Sequence, residues 1–139
     1  MTRHATITGT RSSVPARVLT NADLSRMLGE DIDEFVAGTL GIRERRICGP
    51  EESTADLAER AGRHALESAG LAPDDLDLLI VATDTPEYIS PPTASVVQGR
   101  LGARRAGAFE PGALVVMTAS GAGLAMGSVA LRWNPRRGP

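Results

Sequence analysis

A layered α/β fold is predicted by three observations. The segment Leu78-Leu79-Ile80-Val81-Ala82 is wholly apolar, a second apolar run spans Ala113 to Thr118, and each is preceded by a helix-like stretch that ends on a glycine, Gly70 or Gly102. Strands without period-2 alternation are expected to be covered on both faces, so Leu78 to Ala82 reads as a central strand. Helix followed by strand, twice over, suggests a βαβ layout.

The elements follow in order. Residues 3–10 alternate as a first strand, with Ala5, Ile7 and Gly9 on one side. Arg11 to Val18 is a connection broken by Pro15. Thr20 is placed to cap a helix from Asn21 to Leu28, Asp23 suits its positive end and Gly29 stops it. Asp31 to Ala37 reads as a short helix with Ile32, Phe35 and Val36 inward, and GIRERRI, with no clean apolar face, as an exposed edge or loop. Ser53 or Thr54 begins the helix to Ala69, whose Leu57, Ala58, Ala61, Ala65 and Ala69 form a narrow stripe suited to close packing on a sheet. Pro91 and Pro92 open a further helix through Val97 and Leu101. Ala106 to Phe109 could begin a strand. Ala113 to Thr118 and Leu124 to Trp133 form a hairpin about the tip Ser120-Gly121-Ala122-Gly123, and the residues from Asn134 onward form a polar tail.

Composition narrows the function classes. At 139 residues the chain has the length of one domain. A net charge of −2 and scattered arginines, densest at Arg43, Arg45 and Arg46, do not make the basic stripe of a duplex binder, so no nucleic-acid partner is expected. No apolar run approaches the ~18 residues of a membrane span. The single Cys48 excludes an intrachain disulfide and a multi-cysteine metal site. With no apolar leader near Met1, it suggests a cytoplasmic setting.

Chemistry-bearing groups are few. Arg45 and Arg46 could lower the pKa of Cys48, but no histidine is near it in sequence, and an inert loop cysteine is the simpler reading. His64 falls at the edge of the helical stripe as a partly buried structural residue, and His4 lies in the first strand. Two histidines so placed form no metal site, and neither a metal nor a cofactor is expected. Asp31, Asp33 and Glu34 read as a solvated face. The polar loop Thr83, Asp84, Thr85, Glu87 and Tyr88 follows the central strand, at the end where open α/β sheets hold ligands. The Ser120–Gly123 tip could aim backbone amides at an oxyanion or simply be a turn that needs glycine.

Several stretches also share one order: VPARVLTNADLSRML, LGIRERRI, the helix ending ALESAGL, LLIVATDTPEYISPPTASVVQGRLGA and AGAFE. Together they resemble the amino-terminal third of the β-ketoacyl-[acyl carrier protein] synthase III family of the thiolase superfamily, while PGALVVMTASGAGLAMGSVALRW resembles its extreme carboxyl terminus. The resemblance implies a partial thiolase-like layered α/β fold, an incomplete αβαβα. Residues 1–110 would correspond to the family's first third, 111–133 to its glycine-rich terminal hairpin and 134–139 to a tail.

The implied parent activity is acyl transfer: condensation of an acyl-coenzyme A thioester with malonyl-acyl carrier protein, in fatty acid or polyketide starter chemistry, by a homodimer bearing a Cys-His-Asn triad. Coenzyme A thioester and acyl carrier protein are then the implied partners. The triad itself is expected to be absent, because AFE runs directly into PGALVVM. No catalytic residue is therefore assigned, and an inactive internally deleted remnant is expected. On the substrate side, the resemblance puts Phe35 at an aromatic position that stacks on adenine. Thr39 and Leu40 stand where a basic residue and a threonine are usual, and Gly121, Ala122 and Gly123 fall at the turn bordering the acyl pocket. The alternative is a non-catalytic thiolase-like dimerisation or binding module.

Overall fold

The computed structural model describes residues 4–107, 112–121 and 125–134. Its elements are β1 (His4–Ser13), β2 (Arg17–Thr20), α1 (Asn21–Leu28), α2 (Asp33–Leu40), β3 (Glu44–Ile47), α3 (Thr54–Ala69), β4 (Leu78–Ala82), α4 (Thr93–Leu101), β5 (Leu114–Gly121) and β6 (Ala125–Asn134). A four-stranded sheet runs β1-β6-β5-β4, and a two-stranded sheet pairs β2 with β3. β4 and β5 are parallel with α4 between them in sequence, the expected βαβ unit, whereas β6 is antiparallel to both neighbours.

Local chemistry sets the helix ends. Thr20 and Ser53 each accept from the backbone N–H three residues on, and Asp23 and Asp56 return a carboxylate to the cap N–H, closing two capping boxes. α3 stops where Gly70 turns left-handed at φ 70° and donates to Glu67 O and Leu66 O.

The same boxes tie stability to pH. The Thr20 hydroxyl holds the Asp23 carboxyl below its ordinary 3.8. The Ser53 hydroxyl does the same for Asp56 against the opposing effect of burial. A carboxyl depressed on folding stabilises above its unfolded value and ceases to do so as pH falls through the folded one. The urea midpoint is therefore expected to fall as pH drops below 3.8, and Asp56→Asn to flatten that fall.

The core lies on one face of the larger sheet. Leu57, Ala58, Ala61 and Leu66 of α3 and Val97 and Leu101 of α4 pack on Leu114, Val116, Met126 and Ala130, all nearly solvent-free. The one hydroxyl pair on this side, Thr118 and Ser128, satisfies itself at 2.7 Å, so neither group is buried unpaired.

The opposite face corrects the expectation for the central strand. Leu79 and Val81 pack on the core, but Ile80 is 41% exposed and Ala82 is exposed, so Leu78 to Ala82 is covered on one side only, and β4 is the edge strand of its sheet, not a central one. Met117 and Ile7 share the uncovered face. Gly9 was expected on the side of Ala5 and Ile7, but a register shift between Ile7 and Gly9 moves it to the helix side, beneath Ala65 and Ala69.

Single elements also depart from expectation. GIRERRI contributes β3, the exposed edge of its two expected readings, and its backbone pairs with β2, which occupies part of the connection expected over Arg11 to Val18. α2 runs to Leu40 with none of its residues buried, and Phe35 is outward. His64 is exposed, one step beyond the buried stripe of α3. Ala106 lies in a turn, not a strand, and Phe109 lies outside the described residues, as does the tail beyond Asn134.

Candidate functional site

The loop after β4 is held by its own polar residues. Thr85 N–H donates to Thr83 Oγ1 at 3.1 Å, and the Thr85 hydroxyl lies 3.1 Å from that of Thr54 at the start of α3. Arg100, in the last turn of α4, bridges Asp56 at 2.9 Å and Glu87 at 3.6 Å. The loop is thereby fastened to α3 and α4. Glu87 Oε2 and Thr93 Oγ1 are buried beside it without a hydrogen-bond partner. Asp84 and Tyr88 stay exposed.

Of the six expected substrate-side positions, three fall together on α2. Phe35 is 63% exposed, and Thr39, one turn on, shares its helix face, while Leu40 ends the helix, also exposed. What positions this helix is Asn21, a residue the sequence reading passed over. Its amide donates to Asp33 Oδ1 and to Ile42 O, both at 2.8 Å, and its carbonyl oxygen accepts from Arg45 at 2.6 Å. Asn21 is 3% exposed and thus joins α1, α2 and β3 through one buried amide. An asparagine just inside a helix start, with arginines in the strand to come, was the only signal.

The other three positions belong to the hairpin. Gly121 ends β5, paired with Ala125, while Ala122 and Gly123 lie outside the described residues. Asn21 ties α2 to β3 of the two-stranded sheet, and Gly121 ends a strand of the four-stranded one.

The residues able to form an acyl-transfer triad do not meet around the thiol: His4 and Asn134 pair across β1 and β6 at the end of β1 opposite Ser13, whereas Cys48 lies by Arg60, which bonds Ser13. The sequence holds one cysteine, Cys48, two histidines, His4 and His64, and two asparagines, Asn21 and Asn134. Cys48 follows β3, partly buried against the core, and burial and then the nearby Glu52 push its thiol up, with Arg60 opposing. Arg45 and Arg46, expected to lower it, are occupied elsewhere: Arg45 on Asn21 and Arg46 on Ala16 O at 2.9 Å. The amide of Asn21 is fully engaged, and His64 points from α3 into solvent. A thiol of raised pKa, with a carboxylate rather than an imidazole beside it, is a poor nucleophile at neutral pH. Among the described residues no group of three metal-ligating side chains converges, and no helix is long and apolar enough to cross a membrane.

Comparison with known proteins extends this geometry. No family model matches the chain. A β-ketoacyl-[acyl-carrier-protein] synthase III from Thioalkalivibrio sulfidiphilus is 48% identical over 107 residues, which is 77% of this chain and 33% of the relative. The protein of the same name from Roseiflexus castenholzii is 53% identical over 110 residues, 79% of this chain and 33% of its own. The crystal structure of 3-oxoacyl-[acyl-carrier-protein] synthase III from Aquifex aeolicus VF5 superposes with a TM-score of 0.80 at 28% identity, covering 98% of this chain and 55% of that one. The chain thus spans about a third of the length of the curated relatives it matches. The structural match takes in nearly all of it, so the hairpin as well as the first hundred residues fits the relatives' fold. With its mixed sheet, its α3 packed on one face and this degree of identity, the chain belongs to the β-ketoacyl-[acyl-carrier-protein] synthase III family and carries part of its thiolase-like fold.

Proposed function

We propose that this chain is a remnant of a 3-oxoacyl-[acyl carrier protein] synthase III-like acyltransferase that no longer carries an acyl group. The parent chemistry is condensation of an acyl-coenzyme A with malonyl-acyl carrier protein, in fatty acid or polyketide starter synthesis. In this reading residues 1–110 derive from the first third of the parent and 111–133 from its last hairpin, joined near Pro111.

The observation that carries the reading is that Cys48 lies near the Ser13 end of β1 while His4 and Asn134 pair at its opposite end, and that the thiol, pushed up by burial and then by Glu52, has no imidazole beside it. Removing the nucleophile removes the acyl-enzyme step itself. Phe35 would still offer a stacking surface to a nucleotide, worth on the order of 1 kcal/mol. Thr39 and Leu40 bring no charge to a phosphate, so coenzyme A would be held weakly.

Incubation with radiolabelled acetyl-coenzyme A, acid precipitation and peptide mapping tests this, together with a condensation assay on malonyl-acyl carrier protein. The expected result is no label beyond what Cys48→Ala also retains, and condensation at least ~10⁴-fold below an intact relative. A stable acyl-enzyme that turns over to β-ketoacyl product would contradict it.

A further inference from the structure

We infer that Asn21 is the positioning residue of the nucleotide-stacking surface: its buried amide, bonded to the chain at both ends of α2, fixes where Phe35 stands. This role rests on the proposed reading of Phe35 as the surface on which the adenine of coenzyme A stacks.

Burial does not seat α2. None of its residues is buried, and only Val36 and Ala37 are even partly covered. With eight residues it is also too short to keep its place by helix propensity. What holds it is polar. The two amide hydrogens of Asn21 go to Asp33 Oδ1, on the first residue of α2, and to Ile42 O, two residues past its last, both at 2.8 Å. The backbone N–H of Asn21 donates to Arg43 O at 3.2 Å, and Ile32 N–H donates to Ser25 Oγ of α1 at 3.2 Å. α1 thus grips the entry and the exit of α2, and Asn21 supplies most of that grip.

The grip has one orientation. Asn21 Oδ1 accepts from Arg45 of β3 at 2.6 Å, so the amide oxygen faces a guanidinium while its nitrogen faces a carboxylate and a carbonyl. Turning the amide over would set donor on donor and acceptor on acceptor. At 3% exposure Asn21 has little water to replace a lost bond. Phe35 stands two residues beyond Asp33 and is 63% exposed, so no packing of its own corrects a shift of the first turn. A stack depends on where the ring lies, and here that place is set by the amide.

The test uses coenzyme A as the probe, with affinity read by heteronuclear NMR titration and seating by amide exchange. Asn21→Asp keeps the size and the acceptor for Arg45, but deletes both donors and sets a carboxylate against Asp33. Asn21→Asp combined with Asp33→Asn returns one bond with donor and acceptor interchanged. Phe35→Ala and Asn21→Asp are each expected to weaken coenzyme A about fivefold, what one aromatic stack supplies, and the two together no more than either. The interchanged pair is expected to recover about half of the loss. In Asn21→Asp the amides of α2 exchange about tenfold faster, while those of α3 keep their wild-type rates. Where Asn21→Asp does not fold, Asp33→Ala, at an exposed side chain, removes one of the two amide bonds and is expected to weaken binding about twofold. If Phe35→Ala weakens binding but Asn21→Asp, or Asp33→Ala in its place, does not, the positioning role is overturned and the stacking surface stands. Additive losses in the double variant overturn it as well, because Asn21 would then act apart from the ring. Binding indifferent to Phe35→Ala removes the stacking surface, and the positioning role with it. Acyl labelling reads the proposed loss of acyl transfer separately.

Discussion

Replacing Gly9 with alanine is expected to destabilise the chain by about 3 kcal/mol and to lower its melting temperature by roughly 10 °C. A Cβ at this buried position would lie 2.5 Å from Ala65 O, 3.0 Å from Ala69 N and 3.1 Å from Ala69 Cβ. Two of these three atoms are helix backbone, so no rotamer change relieves the clash. Either α3 lifts from β1 or the strand bends away. Lifting α3 loosens its seat on β5 and β6 as well, because one rigid helix spans all three strands. Differential scanning calorimetry of Gly9→Ala beside Gly127→Ala isolates the effect. The second adds the same methyl to the same sheet, in open space, and is expected to stay within about 0.5 kcal/mol of wild type. Equal melting of the two variants would mean that α3 does not sit against β1 as described.

Gly9 also shows where the sequence can be read and where it cannot. The limits of α1 and α3 are legible because caps are local: Thr20 with Asp23, Ser53 with Asp56, and the stopping glycines are all within a few residues of the ends they set. The side on which Gly9 falls is not local. One irregular step after Ile7 reverses the phase of β1, and only the partner strand reveals it. The apolar run of β4 tells that both of its faces avoid water, and says nothing about what, if anything, covers them. For GIRERRI the choice between exposed edge and loop stays open in the sequence, because the pairing of β3 with β2 rests on backbone bonds and on arginines reaching to Leu19 O and Ala16 O, none of which leaves a hydrophobic pattern.

The candidate site divides along the same line. Phe35, Thr39 and Leu40 are grouped by the family resemblance, and the structure puts them on one exposed helix that runs past the expected end at Ala37. The environment of Cys48 could not be read this way. Its neighbours in sequence, Arg45 and Arg46, turn elsewhere, while Glu52 and the more distant Arg60 set its field. Charge near a group in sequence is a weak guide to charge near it in space, because a strand sends adjacent side chains to opposite faces.

Truncating Leu66 to alanine is expected to cost about 3 to 4 kcal/mol, a large part of the ~5–15 kcal/mol that holds a domain together. On its buried side α3 presents mostly alanine and glycine. Leu57 and Leu66 are its only large fully buried side chains. Leu66 is 1% exposed within the core cluster that includes Leu76, Leu114 and Met126. A site walled by alanines collapses poorly, since Ala58, Ala61 and Ala65 have no side-chain freedom with which to fill a void. The cost should therefore stand toward the upper part of the range for Leu→Ala. Urea unfolding should show a lower midpoint at unchanged slope, whereas Met27→Ala on α1, 70% exposed, should shift it by less than about 0.5 kcal/mol. Combining Leu66→Ala with Gly9→Ala adds a sharper condition. Both changes act on the seating of α3, so once the methyl at position 9 has lifted the helix, less packing remains for Leu66 to lose. The double variant should accordingly be less destabilised than the two single costs together, by about 1 kcal/mol. Strict additivity would mean that β1 and the Leu66 cluster hold the helix independently.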